Sequence, residues 1–185
     1  MYIHRPDARI FYQVTGSGTR DLFLLPQCQV VTHSRMWKYQ IPYLSRYFRV
    51  LTMDPRGNGR SDRPPTGYDV DSRYGDFTAV VDEVARPPFA LVAFSCAAPL
   101  AFRYAVAHPD RLSHLILLSG QYAESVPQPF EERVAQVIRG DFDNWRTRLF
   151  KRIFPEPHSL KGIEDCVGWA GETTPAVLIE SLRAI

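Results

Sequence analysis

Short apolar runs alternate with helical patterns through the first two-thirds of the chain, and the runs then stop. Residues 10–14 read as a short strand, followed by Thr15-Gly16-Ser17-Gly18, a turn in which glycine tolerates positive φ. Residues 22–25 are continuously apolar, as expected of a strand buried on both faces. Residues 37–47 carry a helical pattern interrupted early by Pro42, and residues 48–53 read as another strand. A helix is expected over 77–84 with Asp76 as its N-cap, then a buried strand over 89–94. A helix over 96–107 stops before Pro109, and a strand follows over 115–118. This order implies βαβ units, hence an α/β fold with a mostly parallel, doubly wound sheet. After Gly120 the pattern changes. From Phe130 onward there are amphipathic helices and no convincing strand, with Trp145, Phe150, Phe154 and Trp169 forming an aromatic face. The default role of such a face is packing onto the rest of the protein; a lid over a pocket is its functional version. Residues 1–120 are therefore expected to form the core and 121–185 a helical lid or cap.

Composition narrows the class without selecting a function. Hydrophobic residues make up 45% and charged residues 23% of 185 positions, enough to bury a core. The net charge of +2, from 22 basic and 20 acidic residues, leaves no basic stripe, so nucleic acid is not an expected partner. Cys28, Cys96 and Cys166 are odd in number, far apart and without a Cys-x-x-Cys pair. That argues against a disulfide framework or zinc site and fits a reducing compartment. The first residues include His4, Arg5, Asp7 and Arg9 in place of the apolar run of a signal peptide, and no stretch has transmembrane length. A cytoplasmic protein without a membrane span is the expectation.

The chemistry concentrates in Leu91-Val92-Ala93-Phe94-Ser95-Cys96-Ala97-Ala98, where a strand runs directly into a helix. A small-x-Ser-x-small sequence at such a junction makes a sharp turn that exposes the serine, because the strand and helix backbones pass close together. The helix N-terminus favours a developing oxyanion, and the backbone N–H of Cys96 is the natural first donor. The plainer alternative is that Ser95 is only an N-cap. Ala93 and Ala97 stand where the usual Gly-x-Ser-x-Gly has glycines.

The surroundings of this segment resemble the α/β-hydrolase superfamily. Asp54-Pro55-Arg56-Gly57-Asn58-Gly59-Arg60-Ser61-Asp62 is similar to the family's Asp-x-Arg-Gly-x-Gly-x-Ser loop after the fourth strand. His108-Pro109-Asp110-Arg111-Leu112 is similar to its connection into the sixth strand. Leu24-Leu25-Pro26-Gln27-Cys28 stands where the family usually has His-Gly-x, with the N–H of Cys28 as the implied second oxyanion donor. The tail, with Glu156-Pro157-His158-Ser159 and Glu172-Thr173-Thr174-Pro175, resembles the lid of a hydrolase subgroup. The core resemblance covers roughly residues 9–120.

It implies Ser95 attacking an ester or other acyl carbonyl to form an acyl-enzyme, with no cofactor or metal. The aspartate nucleophile of related dehalogenases and epoxide hydrolases is disfavoured, because the apex residue is serine. The family's acid and histidine follow its seventh and eighth strands. Neither strand is recognisable before Ile185, so the fold reads as C-terminally truncated and the protein as incomplete or inactive alone. The alternative is a non-catalytic small-ligand-binding or regulatory module on a hydrolase scaffold. An exposed sheet edge would also favour self-association or a partner chain.

Among the five histidines, only His33 lies near the expected oxyanion loop. It reads as a loop residue that shapes the pocket, with a base role as the lesser alternative. His4 reads as a surface residue, His108 as a helix C-terminal residue, His114 as lying at the sheet end far from Ser95, and His158 as part of a lid turn. Glu124 reads as a surface residue rather than the acid, and Asp54 and Asp62 as hydrogen-bonding partners of nearby backbone N–H groups. Cys96 is a further candidate nucleophile, but it lies one residue past the apex, so Ser95 is preferred.

Overall fold

Fully buried apolar runs build the centre of the sheet. The computed structural model describes residues 1–27, 32–120, 128–154 and 160–183. Its strands are β1 (Tyr2–His4), β2 (Arg9–Thr15), β3 (Asp21–Leu25), β4 (Arg49–Met53), β5 (Phe89–Phe94) and β6 (Leu112–Leu118). They form a six-stranded sheet in the order β1-β2-β4-β3-β5-β6. β4, β3, β5 and β6 run parallel, whereas β1 and β2 are antiparallel additions, so the sheet is mixed. The crossovers between parallel strands carry α1 (Ile41–Leu44), α2 (Val70–Val84) and α3 (Ala98–Ala107). Beyond the sheet come α4 (Gln128–Gly140), α5 (Phe142–Ile153), α6 (Leu160–Ala170) and α7 (Pro175–Arg183). No described helix is long and apolar enough to cross a membrane.

Three local readings are corrected. α2 begins at Val70, not at residue 77, and its N-cap is Asp69, whose carboxylate accepts from the Ser72 N–H at 2.8 Å. Asp76 lies inside that helix, where its buried carboxylate accepts two hydrogen bonds from Arg56, at 2.6 and 2.8 Å, and one from Arg5 at 3.3 Å. Of the helical pattern over 37–47 only Ile41–Leu44 forms an α-helix, the short α1, and a 3₁₀ turn at Ser34–Trp37 precedes it. Pro42 lies in the first turn of α1, where its missing N–H is harmless, so it opens that helix instead of interrupting one.

Side chains of the sheet, α2 and α3 make the main core, with Phe23, Phe77, Phe89 and Tyr104 at its centre. Leu22, Leu24, Val50 and Val92 pack against Trp37 in another cluster. The late helices bury a third cluster of their own, including Ile138, Phe150, Ile163 and Leu178. β6 pairs with β5 on one side. Its Ile116 and Leu118 are exposed.

Candidate active site

The parallel strands end on one side of the sheet, and two loops there organise the site. After β4, the Asp54 carboxylate accepts from the N–H groups of Ser34 (2.8 Å) and Arg60 (2.9 Å). The Ser61 hydroxyl donates to the Asp54 carbonyl at 2.6 Å and accepts from the Phe11 N–H at 2.9 Å. Asp62 accepts from both the backbone N–H and the guanidinium of Arg9. Gly59 has φ +53° and leaves room for Asp54, since a Cβ there would collide with that carboxylate. Arg56 anchors the loop in the protein through Asp76, Asp7 and the Gly67 carbonyl. The late helices join this loop where the Thr173 hydroxyl donates to the Gly57 carbonyl at 2.7 Å.

After β5 the chain turns at once. Ser95 has φ +53°, a left-handed conformation that side chains other than glycine rarely adopt. The Ser95 carbonyl accepts from the Ala98 N–H in a 3₁₀ turn that leads into α3, and Ala97 and Ala98 are fully buried beneath it. Their small size is what lets the strand and helix backbones approach. Ser119 shares the positive φ, but it is exposed.

Ser95 and Phe94 line a cavity of about 470 Å³. Met36, Lys38 and Tyr39 close one side of it, and Phe150, Ile153 and Phe154 of the α5 end another. α6 contributes Gly162, Asp165, Cys166 and Trp169. Of the aromatic face read from the sequence, Phe150, Phe154 and Trp169 therefore reach the cavity. Trp145 instead stacks on Phe142. Gln27 and Thr32 also line the cavity, and the Thr32 hydroxyl donates to the Gln27 carbonyl at 3.3 Å. Cys28 lies outside the described residues, as do Glu124 and His158. The N–H of Cys96 follows Ser95 directly, while the Cys96 side chain is buried.

Sequence reasoning missed Lys38, Tyr39, Asp165 and Cys166. Lys38 donates to Asp165, an ion pair that keeps the Lys38 pKa above and the Asp165 pKa below their ordinary ranges. Burial pushes the Cys166 thiol up to about 11, which leaves it protonated and unreactive at neutral pH.

His33 is 1% exposed and is not among the described residues lining the cavity. Its Nδ1 accepts from the Arg35 N–H at 3.3 Å, its Nε2 lies 3.9 Å from Glu172, and its ring packs 5.2 Å from that of Trp169. Burial drives its pKa down to about 4, with the Arg35 charge in the same direction and Asp54 opposing, so the ring is neutral at pH 7. His114 pairs with Ala90 near the start of β5, at the end of the sheet opposite Ser95. His108 caps the C-terminus of α3, and His4 ends β1. Among the described residues, no cluster of three or more His, Cys, Asp or Glu could hold a metal ion.

A strand order of this kind, with a strained serine between a parallel strand and the next helix, defines an α/β-hydrolase architecture. The sequence model of the alpha/beta hydrolase fold family matches residues 25–164, and the chain belongs to that family. It is similar to the AB hydrolase superfamily protein YisY of Bacillus subtilis, 39% identical over 112 residues that make up 60% of this chain and 41% of that protein. Epoxide hydrolase 3 of Siraitia grosvenorii is 33% identical over 110 residues, 57% of this chain and 35% of its own. The crystal structure of a hydrolase from Pseudomonas aeruginosa matches with a TM-score of 0.85 at 24% identity, covering 100% of this chain and 71% of its own. The chain thus spans about two-fifths or less of the length of these two curated relatives.

Proposed function

We propose that this chain carries the nucleophile and acyl pocket of a serine hydrolase acting on small ester or other acyl substrates. The observation that carries this reading is Ser95 held at φ +53° on the wall of a largely apolar cavity. Strain of this kind persists where the surrounding structure enforces it, and it aims the hydroxyl away from both the strand and the helix. Attack by the Ser95 hydroxyl on the substrate carbonyl gives an acyl-enzyme, and water then releases the acid. The N–H groups of Cys96 and Cys28 are the proposed oxyanion donors. α5 and α6 act as the lid. The serine apex disfavours the aspartate chemistry implied by resemblance to epoxide hydrolases.

In this reading the base that takes the serine proton comes from outside the described residues, since His33 is buried behind Trp169, is not among the described residues lining the cavity and has both ring nitrogens facing Arg35. Without a base, serine is a weak nucleophile, and loss of the histidine in a serine protease costs roughly 10⁶-fold in rate. That same arrangement favours a second reading, a non-catalytic pocket for a small apolar ligand. Chemical rescue separates the two. Hydrolysis of p-nitrophenyl butyrate by the folded chain is expected to be slow and to rise with added imidazole, after subtraction of the rate with Ser95→Ala. An imidazole-dependent rate identical in wild type and Ser95→Ala rejects the nucleophile reading and leaves the binding pocket.

A further inference from the structure

Lys38 and Asp165 are the only charged side chains among the described residues that line the Ser95 cavity. They come from different elements and meet in the cavity: Lys38 follows the 3₁₀ turn at Ser34–Trp37, and Asp165 lies in α6, 127 residues further along the chain. Each neutralises the other, and their surroundings are unequal. The Lys38 ammonium lies 4.8 Å from the ring centre of Tyr39 and 5.6 Å from that of Trp169, two aromatic faces that attract the cation independently of the carboxylate. Asp165 has a second partner, Lys161, at 3.3 Å. Removing Asp165 therefore exposes an unpaired cation to the cavity, whereas removing Lys38 still leaves Asp165 with Lys161.

Apart from this pair, the walls are mostly aromatic and aliphatic. A carboxylate entering such a cavity loses part of its hydration and finds no unpaired cation among the described lining residues, which is unfavourable. We propose that the Lys38–Asp165 ion pair sets the specificity of this cavity for uncharged, apolar acyl groups, by occupying the cation that would otherwise receive an anionic substrate. The inference rests on the cavity being the acyl pocket of the proposed hydrolase, and it names the substrate class of that site. Lys38 and Asp165 are specificity-determining residues in this account; neither moves a proton in the reaction.

Binding measurements test it without relying on turnover or on the reactivity of Ser95. Isothermal titration calorimetry of hexyl methyl ketone, and of the matching ketone whose terminal methyl is replaced by a carboxylate, compares an uncharged and an anionic ligand of equal length. Wild type is expected to favour the uncharged ketone by about tenfold or more, the cost of an unpaired anion in a partly dry site. Asp165→Asn is expected to improve carboxylate binding by about tenfold, with little change for the uncharged ketone. Lys38→Met is expected to bring no gain for the carboxylate. Equal affinity of wild type for the two ketones overturns the proposal, whatever the variants do. So does an Asp165→Asn protein that melts cooperatively and still rejects the carboxylate. A failure of Ser95-dependent hydrolysis alongside the expected binding pattern would sink the nucleophile reading, and with it the acyl assignment, and leave the ion pair setting the charge selectivity of a binding pocket.

Discussion

Two loops leave the same end of the parallel sheet, after β4 and after β5, and each presents a serine. Ser61 is 1% exposed, with its hydroxyl committed both as donor to Asp54 and as acceptor from Phe11. Ser95 is half-buried, stands in a left-handed conformation and lines the cavity. The first loop spends its polar groups on holding itself in place, through Asp54, Arg56, Ser61 and Asp62. The second holds backbone strain and turns its polar side chain toward open space. What separates a structural serine from a candidate nucleophile here is therefore the commitment of the hydroxyl, since both serines sit in motif-like sequence.

The largest effect expected on this contrast comes from Arg56. Replacing it with methionine leaves the Asp76 carboxylate, 1% exposed, with only the longer contact to Arg5 at 3.3 Å, which puts the expected loss at the lower end of the range for a broken buried pair. Breaking a buried ion pair from one side costs about 3–5 kcal/mol. Chemical denaturation of Arg56→Met should show a loss at the lower end of that range, while a loss below about 1 kcal/mol would mean that the loop is not anchored by this pair.

A smaller, opposed pair of effects sharpens the comparison between the serines. Ser61→Ala leaves the buried Phe11 N–H and Asp54 carbonyl without their hydroxyl partner and should lower stability by about 2 kcal/mol. Ser95→Gly relieves the left-handed strain and loses part of that gain to glycine's greater freedom in the unfolded chain, for a net stabilisation of about 1 kcal/mol. Ser95→Ala keeps the strained conformation and should bring no such gain. Denaturation midpoints of the three variants read this directly. A Ser95→Gly protein no more stable than Ser95→Ala would remove the argument from strain.

How far the sequence reveals this arrangement depends on whether a feature is local. The buried strands were legible because a strand covered on both faces, such as Asp21–Leu25, must be almost continuously apolar. The turn at Ser95 was legible because small residues are required on both sides of it. β1 was not, because Tyr-Ile-His beside charged residues carries no periodic signal and is ordered by pairing with β2. The start of α2 was misread because its first turn, Val70-Asp71-Ser72-Arg73, is polar, and Asp76 looked like a cap when its true partner was Arg56. Lys38 and Asp165 were invisible because nothing local marks two oppositely charged residues as neighbours when over a hundred positions separate them. The aromatic face of the late helices was visible, but its division between the cavity and helix packing was not.

The most direct test of the account is to label the folded 185-residue chain with an alkyl fluorophosphonate, in the presence of imidazole, and to map the adduct by peptide mass spectrometry. The account predicts one adduct, on Ser95, absent from Ser95→Ala, with Ser61 unmodified. A folded chain that gives no adduct on Ser95, or an adduct elsewhere that persists undiminished in Ser95→Ala, would contradict it.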